Sequence, residues 1–155
     1  MKKHALPTVH LATDHAGLVL KEAVKDYLVR RGYHVHDHGA FDATSSDYPD
    51  FIIPAAEAVA ASKGRDVGIV FGGSGIGECI AANKVRGVRA ALAYDRTTAR
   101  LCREHNDANV LCLGGRTVTK KIALALTIVR LWLDTKFSRD ARHVRRLKKI
   151  ARYES

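Results

Sequence analysis

The sequence predicts a doubly wound α/β fold, in which a five-stranded parallel sheet lies between two layers of helices and a basic helix follows at the C-terminus. Short apolar runs alternate with helical patterns, and no internal repeat or linker interrupts them. The 155 residues suit one domain, 1–155. Strands joined through helices need right-handed crossovers, which make the sheet parallel. The three layers therefore form a single-domain sandwich.

The five predicted strands are short runs of apolar and β-branched residues between turn residues. They lie at 8–13, 33–37, 66–71, 88–93 and 109–113. The third, DVGIVF, is apolar almost throughout, which is typical of a central strand covered on both faces.

The predicted helices show apolar residues three or four positions apart. They lie at 17–31, 49–63, 77–84, 95–105 and 118–134, and the basic helix falls within 139–155. Ligands of doubly wound sheets bind beyond the carboxyl ends of the strands. Residues that directly follow a strand are therefore the first candidates for a site.

The net charge of +10 favours anionic partners, from phosphorylated metabolites to nucleic acid. A basic nucleic-acid-binding protein is the alternative from another functional class. Aromatic residues make up only 6% of the chain, and it carries no zinc motif or recognisable helix-turn-helix, so we do not expect nucleic acid as a partner. No apolar run approaches the roughly 18 residues of a membrane span, so we do not expect a membrane partner either.

The three cysteines, Cys79, Cys102 and Cys112, are odd in number and lack metal-site spacing. They are expected to be reduced thiols, and the protein is expected to be cytoplasmic.

The stretch FGGSGIGECIAANK, residues 71–84, places a glycine loop between a strand and a helix. The N–H groups at such a helix start can face an anion. No Gly-Lys-Ser/Thr follows, so the loop is not a Walker A loop, and Glu78 occupies the place of the third glycine of a dinucleotide fingerprint. A carboxylate there would repel a pyrophosphate, so NAD is not expected. A plain tight turn remains the structural alternative.

Glu78 is the most informative residue of this stretch. The helix N-terminus stabilises its charged form, whereas burial beside a ligand would favour the neutral form, and the sequence leaves the balance open. A carboxylate beside an anion-binding loop suits proton abstraction from carbon, because the N–H groups can stabilise the enolate oxygen. A favourable helix charge is the alternative.

Two histidines lie next to another polar residue at the end of a helix or just after a strand. His105 and Asn106 lie at the end of a helix, and Asp14 and His15 follow the first strand. Imidazole can move protons near neutral pH, although a histidine at a helix C-terminus is often only a favourable charge there.

Three further histidines, His34, His36 and His38, alternate along the second strand and could share a face. A metal site at these residues and exposed histidines without a ligand are both open interpretations.

These segments resemble the type B ribose-5-phosphate isomerases, within the larger group that includes galactose-6-phosphate isomerase subunits. The similar segments cover nearly the whole chain in the family's order. They are TDHAG (13–17), SDYPD (46–50), GGSGIGE (72–78), AANK (81–84), EHNDANV (104–110), GGR (114–116) and RHVRR (142–146).

The resemblance implies interconversion of ribose 5-phosphate and ribulose 5-phosphate through a cis-enediol, with no metal and no nucleotide cofactor. Tetrose and hexose phosphates share this chemistry, so the preferred sugar stays open. Glu78 falls on the base of one branch of the family, and Gly72 on the position where another branch has a cysteine. His105 falls on the acid that helps to open the sugar ring, and Asp14 on its partner in that step.

The remaining site residues implied by the resemblance bind the substrate. They are Asp14, His15, Gly73, Ser74, Gly75, Ile76, Gly77, Asn106, Arg116, Arg142 and Arg146. Arg142 and Arg146 fall on the phosphate-binding pair, and their i, i+4 spacing independently places two guanidinium groups on one helix face. The family also implies a homodimer or a dimer of dimers in which His105 reaches into the partner's cleft.

Overall fold

The computed structural model describes residues 6–118 and 121–154, and within them five strands form one sheet. The strands are β1 (Val9–Thr13), β2 (Val35–Asp37), β3 (Val67–Gly72), β4 (Ala90–Leu92) and β5 (Val110–Gly114). The helices are α1 (Leu18–Arg30), α2 (Pro49–Ala61), α3 (Ile76–Ala82), α4 (Arg96–Asn106), α5 (Gly115–Val118), α6 (Ile122–Asp134) and α7 (Ala141–Glu154). A 3₁₀ turn, His15–Gly17, precedes α1.

The sheet has the order β2-β1-β3-β5-β4, and every neighbouring pair is parallel. From β1 the chain moves outward to β2, and from β3 it moves outward in the opposite direction. The direction of winding therefore changes between β1 and β3, where doubly wound sheets open a crevice for ligands. The predicted fold class is confirmed.

Side chains alternate between the two faces of the central strands, and each face is covered by its own core. Leu11, Phe71 and Leu113 pack against α1, α4 and α6 in one core, where Trp132 is also fully buried. Val70 and Cys112 point the other way, into a second core beneath α2 and α3. This two-sided burial explains the continuous apolar character of β3.

The edge strands are shorter than predicted. Residues 33–37 and 88–93 contain strands of only three residues each, β2 and β4, and each pairs with a single neighbour.

The structure also differs from the prediction of one helix at 118–134. Val118 ends the short helix α5, residues 119 and 120 lie outside the described residues, and α6 covers the rest. The chain enters α5 directly from β5, and there Arg116 N–H donates to Gly73 O at 2.8 Å. Within the described ranges, none of the helices is both long and apolar enough to cross a bilayer.

Candidate active site

A cleft of about 390 Å³ opens at the carboxyl edge of the sheet, where the direction of winding changes. Segments that follow β1, β3 and β5 form its walls together with the start of α2. The lining residues are Asp14, His15, Ala16, Tyr48, Gly73, Ser74, Gly77, Glu78, Arg116 and Thr117. The three segments that the sequence singled out after strands therefore meet in one place.

The turn after β1 positions Asp14 and His15. Asp14 is only 7% exposed, and its Oδ1 accepts hydrogen bonds from Ala16 N–H at 2.9 Å and Gly17 N–H at 3.3 Å. Ser46 N–H donates to His15 Nδ1 at 3.2 Å. Since Nδ1 is the acceptor, the proton of the neutral imidazole lies on Nε2.

The glycine loop after β3 is held tightly against its neighbours. Gly75 has φ 81°, a left-handed conformation that favours glycine, and a Cβ there would lie 2.7 Å from Leu92 Cδ1. A Cβ on Gly77 would lie 2.8 Å from the ring of Tyr48. Glycine at these two positions therefore lets the loop pack directly against Leu92 and Tyr48.

Glu78 lies in the first turn of α3 and is only 4% exposed. Burial is the largest effect on the pKa of its carboxyl and raises it above the ordinary value. The negative charge of Asp14 raises this pKa further. Hydrogen bonds from the backbone at Glu78 itself and at Gly75 act in the opposite direction but are outweighed. Burial therefore prevails over the helix N-terminus, which decides the balance that the sequence left open.

The Glu78 carboxylate occupies the space beside the Cα of Gly72. A Cβ on Gly72 would overlap both carboxylate oxygens and the carbon between them. A side chain at position 72 and a glutamate in this conformation at position 78 therefore exclude one another. The pairing of glycine with glutamate in this chain has a direct steric reason.

Cys79 is next to Glu78 in the chain but faces away from the cleft. Its Sγ lies 3.5 Å from Ala90 O in β4, and its thiol also contacts Cys112. The hydrogen bond with the Cys112 thiol is the largest effect that lowers the pKa of Cys79 to about 7. Cys79 does not line the cleft, so it is poorly placed to serve as an alternative base.

The other predicted site residues lie elsewhere in this chain. The cleft lining, as far as the structure describes it, excludes His105, Asn106, Arg142 and Arg146. Helix α4 runs back from the end of β4 to the start of β5, so its C-terminal residues lie at the amino edge of the sheet, opposite the cleft.

His105, at this amino edge, contacts His143 of α7, with ring centroids 4.3 Å apart and the rings tilted by 38°. The exposed Arg142 and Arg146 lie on the same part of α7. The predicted residues thus form two groups, one in the cleft and one at the contact between α4 and α7.

Within the glycine loop, Gly75 and Ile76 also lie outside the cleft lining. Conversely, the sequence did not assign a role to Ala16, Tyr48 or Thr117, which line it. Each lies within or next to a segment that carried the resemblance: TDHAG, SDYPD or GGR. The roles of the individual side chains stay predictions.

Comparison with known proteins agrees with this arrangement. The Ribose/Galactose Isomerase family matches residues 9–150. The ribose-5-phosphate isomerase B of Mycobacterium leprae is 48% identical over 147 residues, which cover 94% of this chain and 89% of that protein. The probable ribose-5-phosphate isomerase B of Mycoplasma genitalium is 44% identical over 148 residues, which cover 94% of this chain and 95% of that protein.

Solved structures show the same relationship. The Clostridium thermocellum ribose-5-phosphate isomerase B has a TM-score of 0.90 at 46% identity, with 95% of this chain and 97% of that chain covered. The Mycoplasma genitalium enzyme with bound ribulose-5-phosphate has a TM-score of 0.91 at 41% identity. The match covers 97% of this chain and 98% of that chain. On fold, sequence and coverage, this chain belongs to the ribose/galactose isomerase family.

Proposed function

We propose that the protein interconverts ribose 5-phosphate and ribulose 5-phosphate through a cis-enediol, with Glu78 as the base. The observation that carries this proposal is the buried carboxyl of Glu78, with a raised pKa, in a cleft beside a glycine loop. The relatives named above are ribose-5-phosphate isomerases, and one was solved with ribulose-5-phosphate bound.

The reaction requires one carbon-bound proton to move between neighbouring carbons. Glu78 would take the proton from C2 of the open-chain aldose while negative charge develops on O1. N–H groups of the Gly73–Gly77 loop would stabilise that oxygen. Return of a proton to C1, with transfer of the hydroxyl proton from O2 to O1, gives the ketose. A raised carboxyl pKa favours this cycle, because proton transfer works best when the pKa lies near the operating pH.

The catalytic unit is proposed to be a homodimer, or a dimer of dimers, with shared sites. Within one chain, His105 and the pair Arg142 and Arg146 lie outside the cleft, so a second copy would supply them for ring opening and phosphate binding. Ile76 and Ile80 on α3 support a subunit contact near the cleft, because they share a helix face and are 55% and 57% exposed.

We also propose that the reaction takes place in the cytoplasm. This proposal rests on the three cysteines, all of which are free thiols.

Steady-state rates on four-, five- and six-carbon aldose phosphates test the proposed reaction. We expect the highest kcat/KM with ribose 5-phosphate. Glu78→Gln should lower kcat roughly 10²-fold or more while substrate binding persists, as is typical for the loss of a general base. Glu57→Gln, on the exposed face of α2, is the matched control and should leave kcat unchanged. A higher kcat/KM with a six-carbon substrate would reassign the sugar, and normal kcat in Glu78→Gln would remove Glu78 from its role.

A further inference from the structure

Three histidines from two neighbouring strands meet at the edge of the sheet, away from the cleft. His10 of β1 pairs in register with His36 of β2, and His38 follows two residues later on the same face. One ring nitrogen from each of the three lies within 4.8 Å of the others. The sequence pattern suggested His34 as the third member, but the described cluster has His10 in its place, because strand pairing brings it there.

Asp66 orients the innermost imidazole of this cluster. His10 is 6% exposed, and its Nε2 lies 3.3 Å from Asp66 Oδ2. An ionised carboxylate can only accept, so the Nε2 proton of His10 donates to Asp66, and the Nδ1 lone pair faces the other histidines. A carboxylate behind a histidine in this way is the usual support of a metal-binding imidazole.

We propose that His10, His36 and His38 form a binding site for a divalent transition-metal ion such as Zn²⁺, with Asp66 as the positioning residue behind His10. Imidazole nitrogen suits zinc, and three protein ligands with water in the fourth position form a common zinc geometry. Exposed His36 lies on the solvent side, where that water and the entry path would be.

The distances require only a small adjustment. His10 Nδ1 and His38 Nε2 are 2.9 Å apart and share one hydrogen bond. Two nitrogens bound to one tetrahedral zinc ion at about 2.0–2.1 Å would lie about 3.3 Å apart. Zinc would replace the shared proton, which moves to Nδ1 of His38.

One side chain also has to turn. The rings of His36 and His38 are stacked, with centroids 4.4 Å apart at 15°, so their lone pairs lie in nearly parallel planes and do not converge on one ion. His36 is exposed and therefore free to rotate until its nitrogen points at the ion.

The expected effect of zinc is on stability. His10 lies four residues before Asp14, about 13 Å along a strand at roughly 3.3 Å per residue, so the ion would not contact the cleft. The edge strand β2 pairs in register with β1 over three residue pairs. A metal ion that bridges the two strands would favour the folded state in proportion to its occupancy.

Calorimetric titration of the untagged, metal-free full-length chain with ZnCl₂ tests the site. We expect a zinc site in the parent protein whose affinity falls by at least about 10-fold in His36→Gln and in His38→Gln, and about 10- to 100-fold in Asp66→Asn. His34→Gln is the matched control, because this exposed histidine of the same segment is outside the cluster. It should bind zinc as the parent does.

Melting temperature provides the second measurement. At the same zinc concentration, zinc should raise it by less in His38→Gln than in the parent or in His34→Gln. Melting without zinc verifies that each variant folds. No zinc binding by the parent would overturn the proposal, as would equal affinity in the parent, His36→Gln and His38→Gln, because the ion would then sit on other donors.

Discussion

At the scale of single residues, the Glu78 carboxylate depends on the space beside Gly72 and on the charge of Asp14. Gly72 leaves the space that the carboxylate fills, and the nearby Asp14 disfavours its ionised form. Burial, the larger effect, acts in the same direction as Asp14. The position and the protonation of one side chain therefore depend on two residues from different segments, Gly72 at the end of β3 and Asp14 in the turn after β1.

Gly72→Ala tests the steric part of this arrangement. The added methyl group must displace the Glu78 carboxylate, so we expect a large fall in kcat, on the order of that of Glu78→Gln, with a smaller change in KM. The measurement is a double-mutant cycle on ribose 5-phosphate. Combining Gly72→Ala with Glu78→Gln should cost nothing further, because both changes remove the same base. Additive losses in the double variant would show that Gly72 acts independently of Glu78.

The pH dependence of kcat/KM tests the electrostatic part. The base must be ionised, and its pKa is raised, so activity should fall with decreasing pH in a range above the ordinary glutamate value of 4.5. Asp14→Asn removes a negative charge that disfavours ionisation, so the acid limb should move to lower pH even where the rate itself is reduced.

Comparison of the two profiles isolates this shift. The substrate phosphate also titrates, near pH 6, but it does so identically for both proteins. Recovery of activity on return to neutral pH excludes acid unfolding. An acid limb that stays in place, or moves to higher pH, would contradict the assigned interaction between Asp14 and Glu78.

At the scale of secondary-structure elements, α7 presents two different basic faces. His143 is buried against His105, and Arg142 and Arg146 lie beside it with a spacing of one turn. On another face, Arg145 and Lys148 line an open groove of about 460 Å³, whose other lining residues are Arg139, Ala141, Val144, Lys149 and Arg152. Only the first face contacts a predicted catalytic residue, His105.

We therefore expect Arg142→Ala and Arg146→Ala each to lower kcat/KM by roughly 10- to 150-fold, as for loss of a charge-assisted phosphate contact of about 1.5–3 kcal/mol. Lys148→Ala, on the groove face and rotated by about 120° or more from both arginines, is the matched control and should change little except salt dependence. The measurement is kcat/KM of each single variant on ribose 5-phosphate. Equal damage from Lys148→Ala would move the phosphate to the groove face.

At the scale of the whole molecule, periodicity and the crossover rule predicted the layers, the parallel sheet and the edge at which the cleft opens. Asp14, Glu78 and Arg116 meet there because each follows a strand. Periodicity did not reveal the short helix α5, which begins directly after β5 and where Arg116 N–H donates to Gly73 O. Nor did it place His10 beside His38, because that contact depends on the pairing of strands distant in sequence.

Within one chain, His105 lies far from the cleft, at the opposite edge of the sheet. The reaction would therefore depend on how the subunits assemble. If two copies share each site across a two-fold axis, the cleft of one copy works with His105 of the other. Glu78→Gln and His105→Ala would each be nearly inactive on ribose 5-phosphate alone. In a mixed dimer, however, the Glu78 cleft of the His105→Ala copy meets the His105 of the Glu78→Gln copy, so one of the two sites is intact.

Unfolding and refolding an equal mixture of the two variants should therefore restore about a quarter of the parent activity, since half of the dimers are mixed and each holds one intact site of two. Mass spectrometry of the intact dimers verifies the exchange. The matched control is a mixture of Glu78→Gln with Asp14→Asn, two changes within the same cleft, which should not recover. Mixed Glu78→Gln and His105→Ala dimers that form but remain inactive would mean that the sites are not shared, and His105 would then have no route to the substrate from the amino edge of the sheet.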